Sequence, residues 1–138
     1  MIAYNGNIVA EKQNGGQIQV FTPLVNTNDA CVATKGDLTI TIVKTSTSAA
    51  TMTISFPTAR NFLYGFINLY DTAGYQSDSG NNVNIASKAV RTNLGYTQGT
   101  TDFGQVVDST NGVMYKVNFS VGNNGTSGQV NWASIIIL

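Results

Sequence analysis

The sequence predicts an all-β fold: an antiparallel β-sandwich or jelly roll of about eight to ten short strands, in one domain spanning residues 1–138. Three observations carry this. Apolar and polar residues alternate with period two along most of the chain, and no stretch of the ~11–18 residues that a helix assignment needs shows helical spacing. Clusters of Gly, Asn, Ser and Asp punctuate the chain at roughly 8–12-residue intervals, the rhythm of a sandwich rather than of a parallel α/β protein. No fixed-period repeat is present, and a chain of this length buries about 65–70% of its unfolded surface in a single core.

Three weaker strands open the chain, in "NIVAE", "QIQVFTPLV" and "ACVAT". In "DLTITIVKT", Leu38, Ile40 and Ile42 alternate with Thr39 and Thr41; beyond a short "STSAA" loop, "TMTISFP" sets Met52, Ile54 and Phe56 against Thr51, Thr53 and Ser55, which predicts a hairpin. Pro57 has no amide to donate to a ladder and is expected to close the second strand. "NFLYGFINLYD" follows, with Phe62, Tyr64, Phe66 and Tyr70 on one side and Leu63, Ile67 and Leu69 on the other, as expected of a central strand covered on both faces. Residues 72–110 read as loop-rich, with "NVNIASKAV" the best strand among them. "GVMYKVNFSVG" restores alternation, with Val113, Tyr115, Val117, Phe119 and Val121 directed inward, and "GNNGTSG" turns the chain into its last strand.

That last strand ends on "WASIIIL". Burying one large apolar side chain is worth roughly 1.5–3 kcal/mol, so four in a row at the end of a chain require cover. Alternation puts Val130, Trp132, Ile136 and Leu138 on the core-facing side and Asn131, Ala133, Ile135 and Ile137 on the other. Ile135 and Ile137 are thereby assigned to a second layer or to a neighbouring subunit, which predicts a homo-oligomer.

Charged residues make up only 10% of the chain, seven basic and seven acidic, and polarity comes instead from Asn, Thr, Ser, Gln and Gly. Without a basic run there is no electrostatic footprint for nucleic acid or anionic lipid. No apolar stretch approaches the ~20 residues of a membrane span, so membrane insertion is not expected. The N-terminus lacks the basic start and apolar middle of a signal peptide. The single cysteine, Cys31, excludes an internal disulfide and reads as a small buried hydrophobe on a strand.

The inventory for chemistry is thin. Histidine is absent, Glu11 is the single glutamate, and the aspartates Asp29, Asp37, Asp71, Asp78, Asp102 and Asp108 lie at strand ends or in polar loops, where Asp commonly bonds nearby backbone. Two facing aspartates would suit a glycosidase, but no "GxSxG" elbow and no phosphate loop accompany them, and the expectation is a non-enzyme with no cofactor. "DSGNNVN" offers Asp78, Asn81 and Asn82 to a hard cation, yet lacks the acidic density of a calcium loop and reads as a polar turn; no metal is expected.

The stretches "YDTAGYQSDSGNN" and "NLGYTQGTTDFGQ" are more informative. They set Tyr75, Tyr96 and Phe103 among Gln76, Asp78, Asn81, Asn82, Gln98 and Asp102. A pyranose lays its apolar C–H face on an aromatic ring while its hydroxyls pair with planar amides and carboxylates, and an uncharged site suits a neutral ligand. These nine residues are the candidate ligand-binding set.

Low charge, abundant Asn, Thr, Ser and Gly, long polar loops bearing tyrosines and an apolar terminal strand together resemble the distal knob of a bacteriophage tail fibre, tail needle or head spike. The resemblance implies a homotrimeric jelly roll or TNF-like sandwich on the outside of a virion, contacting a host cell-surface glycan during attachment or penetration. A structural fibre cap or capsid-decoration protein, and a carbohydrate-binding module of a secreted bacterial protein, are the alternatives.

Overall fold

The computed structural model describes residues 2–4, 7–12, 16–68, 76–94, 100–123, 125 and 128–138. These residues form strands β1 (Ile2–Tyr4), β2 (Asn7–Lys12), β3 (Gln17–Pro23), β4 (Ala30–Lys35), β5 (Leu38–Ser46), β6 (Ala49–Asn68), β7 (Gln76–Leu94), β8 (Thr100–Asp108), β9 (Val113–Gly122) and β10 (Trp132–Ile137), with no helix among them. The fold is all-β and antiparallel throughout, as the alternation predicts.

One ten-stranded sheet runs in the order β1-β2-β3-β10-β9-β8-β6-β5-β4, with β7 on β6 as a branch. It curls until β4 lies against β3 and β10, so the sheet is nearly closed on itself. At that seam Cys31 of β4 is fully buried, its Sγ 3.8 Å from the Val20 carbonyl oxygen of β3.

The predicted hairpin of β5 and β6 is present, with Ile40 opposite Ile54 and Ile42 opposite Met52 and all four buried. Pro57 does not end the strand: β6 continues to Asn68. The reason is a bulge. Between Ser55 and Arg60 the pairing with β7 shifts register, so Pro57 sits where the ladder asks for no amide. Here β6 also changes partners, from β5 along its first half to β8 along its second, while β7 stays beside both halves. Strands that bend and pass from one layer to another in this way form the corners of a closed sandwich.

Arg60 holds that corner. Its Nη1 lies 2.8 Å from Asp108 Oδ2 at the end of β8 and 3.0 Å from Asp37 Oδ2 at the start of β5, and its guanidinium covers the Phe56 ring at 4.7 Å. Asp108 also accepts hydrogen bonds from the Asn111 backbone amide and side chain, at 3.0 and 2.9 Å.

The loop-rich expectation for residues 72–110 is corrected by β7 and β8, which occupy much of it as strand. β7 hides its strand character because it pairs with β6 alone and is mostly solvated, so it needs no apolar face.

The terminal strand is also corrected. Ala133, Ile135 and Ile137 are fully buried in the chain's own core, whereas Trp132 and Ile136 are half-buried on the outside and Leu138 is exposed. Ile135 and Ile137 are therefore not surface left for another subunit. The phase differs from simple alternation because Val130, itself buried, precedes β10 and donates its backbone amide to the Thr47 carbonyl outside the ladder, so alternation restarts at Trp132. Trp132 stacks on Phe21 with ring centroids 5.6 Å apart and lies over Gly122, a position where a Cβ would collide with the indole. Tyr115, Val117, Phe119 and Val121 do point inward, but Val113 at the strand's start is exposed.

A trough on the outer face of four strands

The second half of β6 is central in its hydrogen bonding, with β7 on one edge and β8 on the other. Among the described residues no layer covers its outer face, which corrects the expectation from its apolar pattern. Phe62 and Phe66 enter the core, while Leu63 is 39% exposed and Ile67 half-buried on the outer side.

Register sorts that outer side into rows running across β7, β6, β8 and β9. Ser77, Ile67, Phe103 and Asn118 form one row; Ser79, Gly65, Gln105 and Lys116 form the next; Asn81, Leu63, Val107 and Met114 form the third. The middle row dips because Gly65 has no side chain, and a Cβ built there would meet nothing within 4 Å. Two adjoining hollows result, of about 540 and 440 Å³, which share Gly65, Ser79 and Gln105. Ile67 and Phe103 wall the first and Leu63 and Val107 the second. The product is a shallow trough with a polar floor between apolar walls. Adjacent strands lie ~4.7–4.9 Å apart, so its span from β7 to β9 is roughly 14 Å.

Close backbone approach underlies the trough. Gly104 of β8 packs so tightly on β6 that a Cβ would fall on the Gly65 carbonyl oxygen. The Tyr64 ring covers Gly80 of β7 in the same manner, a cross-strand aromatic shielding a glycine.

The structure separates the predicted ligand-binding residues. Phe103 and Asn81 lie at the trough, the first 40% exposed. Asn82 and Asp102 are buried, opposite Phe62 and Asn68 of β6 and on the inner side with Phe66, so neither belongs to an exposed polar loop as expected. Strand alternation is the cause: neighbours in sequence face opposite sides. Asn81 and Asn82 for that reason do not converge on a common cation. Asp78 borders the larger hollow, but its carboxylate is paired with Arg91 Nη1. Arg91 Nε lies 3.1 Å from Asp102 Oδ2, so one arginine bridges both acids. Tyr64 belongs to the same side; burial, then the charge of Asp78, pushes its phenol above the usual 10. Gln76 begins β7, and Tyr75, Tyr96 and Gln98 lie outside the described residues.

No protein-family model, curated protein or solved structure matches the chain.

Geometry and chemistry alone therefore carry the functional argument. The residues that sequence reasoning missed are Gly65, Ser79, Gln105 and Lys116, which make the floor. Their trace in the sequence is the doubly apolar "FLYGFI", whose second apolar face has no covering layer among the described residues and whose glycine interrupts it. Of the aspartates, Asp37 with Asp108 and Asp78 with Asp102 are each bridged by an arginine rather than facing one another across open space.

Proposed function

We propose that this protein is a non-enzymatic adhesion module that binds a saccharide along the trough over Gly65. The observation that carries the proposal is the pairing of a half-exposed aromatic wall, Phe103, with the amide of Gln105 and the hydroxyl of Ser79 on a floor left open by a glycine. A sugar ring offers a C–H face to the first and hydroxyls to the others. The length of the trough suits several linked rings rather than one. Among the described residues the trough's outer rows carry no carboxylate, and Asp78 at the border of the larger hollow is held by Arg91, which favours binding over hydrolysis. Surface polarity carried by amides and hydroxyls suits an extracellular particle, and the setting proposed is the tip of a bacteriophage fibre, needle or spike touching a host glycan.

A glycan array probed with wild type, Phe103→Ala and Gln105→Ala tests this. Binding by wild type, weakened at least tenfold in both variants at unchanged melting temperature, is the expected result. Silence across the array, or variants that bind as wild type does, would overturn it.

A second reading is favoured by one observation. Phe21 remains exposed where it stacks on Trp132, and Leu138 is exposed beyond the far end of β10 with half-buried Ile136 between them, which leaves an apolar strip on the outside of β3 and β10. It suits a homotrimeric cap that packs through this strip, and sedimentation at micromolar concentration distinguishes trimer from monomer.

A further inference from the structure

Lys116 is the charged side chain of the trough's outer rows. It lines the larger hollow, is exposed, and stands directly across the ladder from Gln105. Among the described residues, the ion pairs join Arg60 to Asp37 and Asp108 and Arg91 to Asp78 and Asp102; none engages Lys116. The acid nearest in the lining is Asp78, and its carboxylate is held by Arg91. Among the described residues, the trough thus presents a cation that no acidic side chain pairs.

An occupant that lies along the floor strips water from this ammonium. Sugar hydroxyls replace that hydration incompletely, and an unpaired charge taken out of water is costly. An anion on the occupant reverses the sign of the effect and also fixes its register and direction. Beside Lys116, the Gln105 side-chain amide supplies an N–H donor, so two donors stand side by side on adjacent strands, matching the two oxygens of a planar carboxylate.

We propose that the ligand is an acidic saccharide, of uronic or sialic acid type, whose carboxylate is held by Lys116 with Gln105 while its ring packs against Phe103. This inference rests on the saccharide reading of the trough. It replaces the neutral ligand that the low overall charge suggests, because what matters is the charge left unpaired in the trough, not the sum over the chain.

The test uses the full chain against hexuronate trimers and sialyl trisaccharides, each beside its carboxyl-reduced form, with a sulfated neutral trisaccharide as a further arm. The acidic forms are expected to bind about two- to fivefold more tightly than the reduced forms, the range of an exposed ion pair, with the advantage falling as salt rises. Lys116→Gln should abolish that preference, bringing the ratio of acidic to reduced affinity to about one, whereas Lys116→Arg should retain it. Equal binding of acidic and reduced forms would overturn the carboxylate assignment while leaving the saccharide site standing. Preference for the sulfated probe alone would overturn it in favour of another anion. A preference that survives Lys116→Gln would overturn the role of Lys116, and no binding by any probe would overturn both this inference and the saccharide reading.

Discussion

Gly104 packs against the carbonyl oxygen of Gly65 so closely that no side chain fits on its inner side, whereas the outer side of Gly65 opens onto empty space. Two glycines on neighbouring strands thus have opposite tolerances. Gly104→Ala forces β8 away from β6 and is expected to cost about 1–3 kcal/mol, as overpacking generally does. Gly65→Ala is expected to fold normally, and even to gain up to about 1 kcal/mol from the lower entropy of its unfolded chain. Thermal unfolding of the two variants checks this. Gly65→Val should keep the fold yet fill the floor of the trough, so saccharide binding falls while the melting temperature does not.

The Arg60 corner makes stability depend on acid. Burial alone would raise the Asp108 carboxyl, but hydrogen bonds from the Asn111 side chain and backbone, together with the Arg60 guanidinium, outweigh it and hold the group below its ordinary 3.8. A carboxyl with a depressed folded-state pKa contributes stability that is fully present above the unfolded value, near 3.9, and is lost as pH falls through the folded one. Urea unfolding should therefore show constant stability from this group at neutral pH and a decline beginning below about pH 4. Asp108→Asn should be less stable at neutral pH and show a shallower acid decline.

Lys44 is buried, and its Nζ donates to the carbonyl oxygens of Val130, Leu24 and Val25 at 2.7, 3.1 and 3.4 Å. These carbonyls belong to the segments that leave β3 and approach β10, so one ammonium ties both to β5. Lys44→Met keeps the aliphatic stem and orphans the acceptors, with an expected loss of about 2–3 kcal/mol in chemical denaturation. Lys44→Met as stable as wild type would show that water replaces the ammonium.

Burial pushes the Cys31 thiol from 9.0 up to about 11, against a smaller opposite effect of the Thr22 hydroxyl. Thiolate is the reactive form, so the native protein should resist a thiol reagent at pH 8 and react in full once unfolded in denaturant. Rapid labelling under native conditions would mean that the seam between β3 and β4 opens readily.

Truncation before Ile135 removes two fully buried side chains from the core together with the end of the ladder that joins β10 to β3 and β9. At roughly 1.5–3 kcal/mol for each buried isoleucine, the loss approaches the stability of a small domain. Circular dichroism of the shortened chain should show no cooperative unfolding transition.

The sequence by itself determined the all-β class, the β5–β6 hairpin with its buried faces, the inward phase of β9 from Tyr115 onward and the burial of Cys31. Each of these follows from local alternation between one buried and one solvated face. It also marked Phe103 and Asn81, because an aromatic among amides keeps its character wherever it is placed. Only the tertiary structure decided the rest. The inward face of β10 depended on where alternation restarts after Val130, and the passage of β6 through Pro57 depended on a bulge set by β7. The trough depended on register across β7, β6, β8 and β9, which brings Ser79, Gly65, Gln105 and Lys116 into one row from four separate stretches of chain. Non-local pairing creates that row, and the local pattern of "FLYGFI" marks only its β6 member, Gly65.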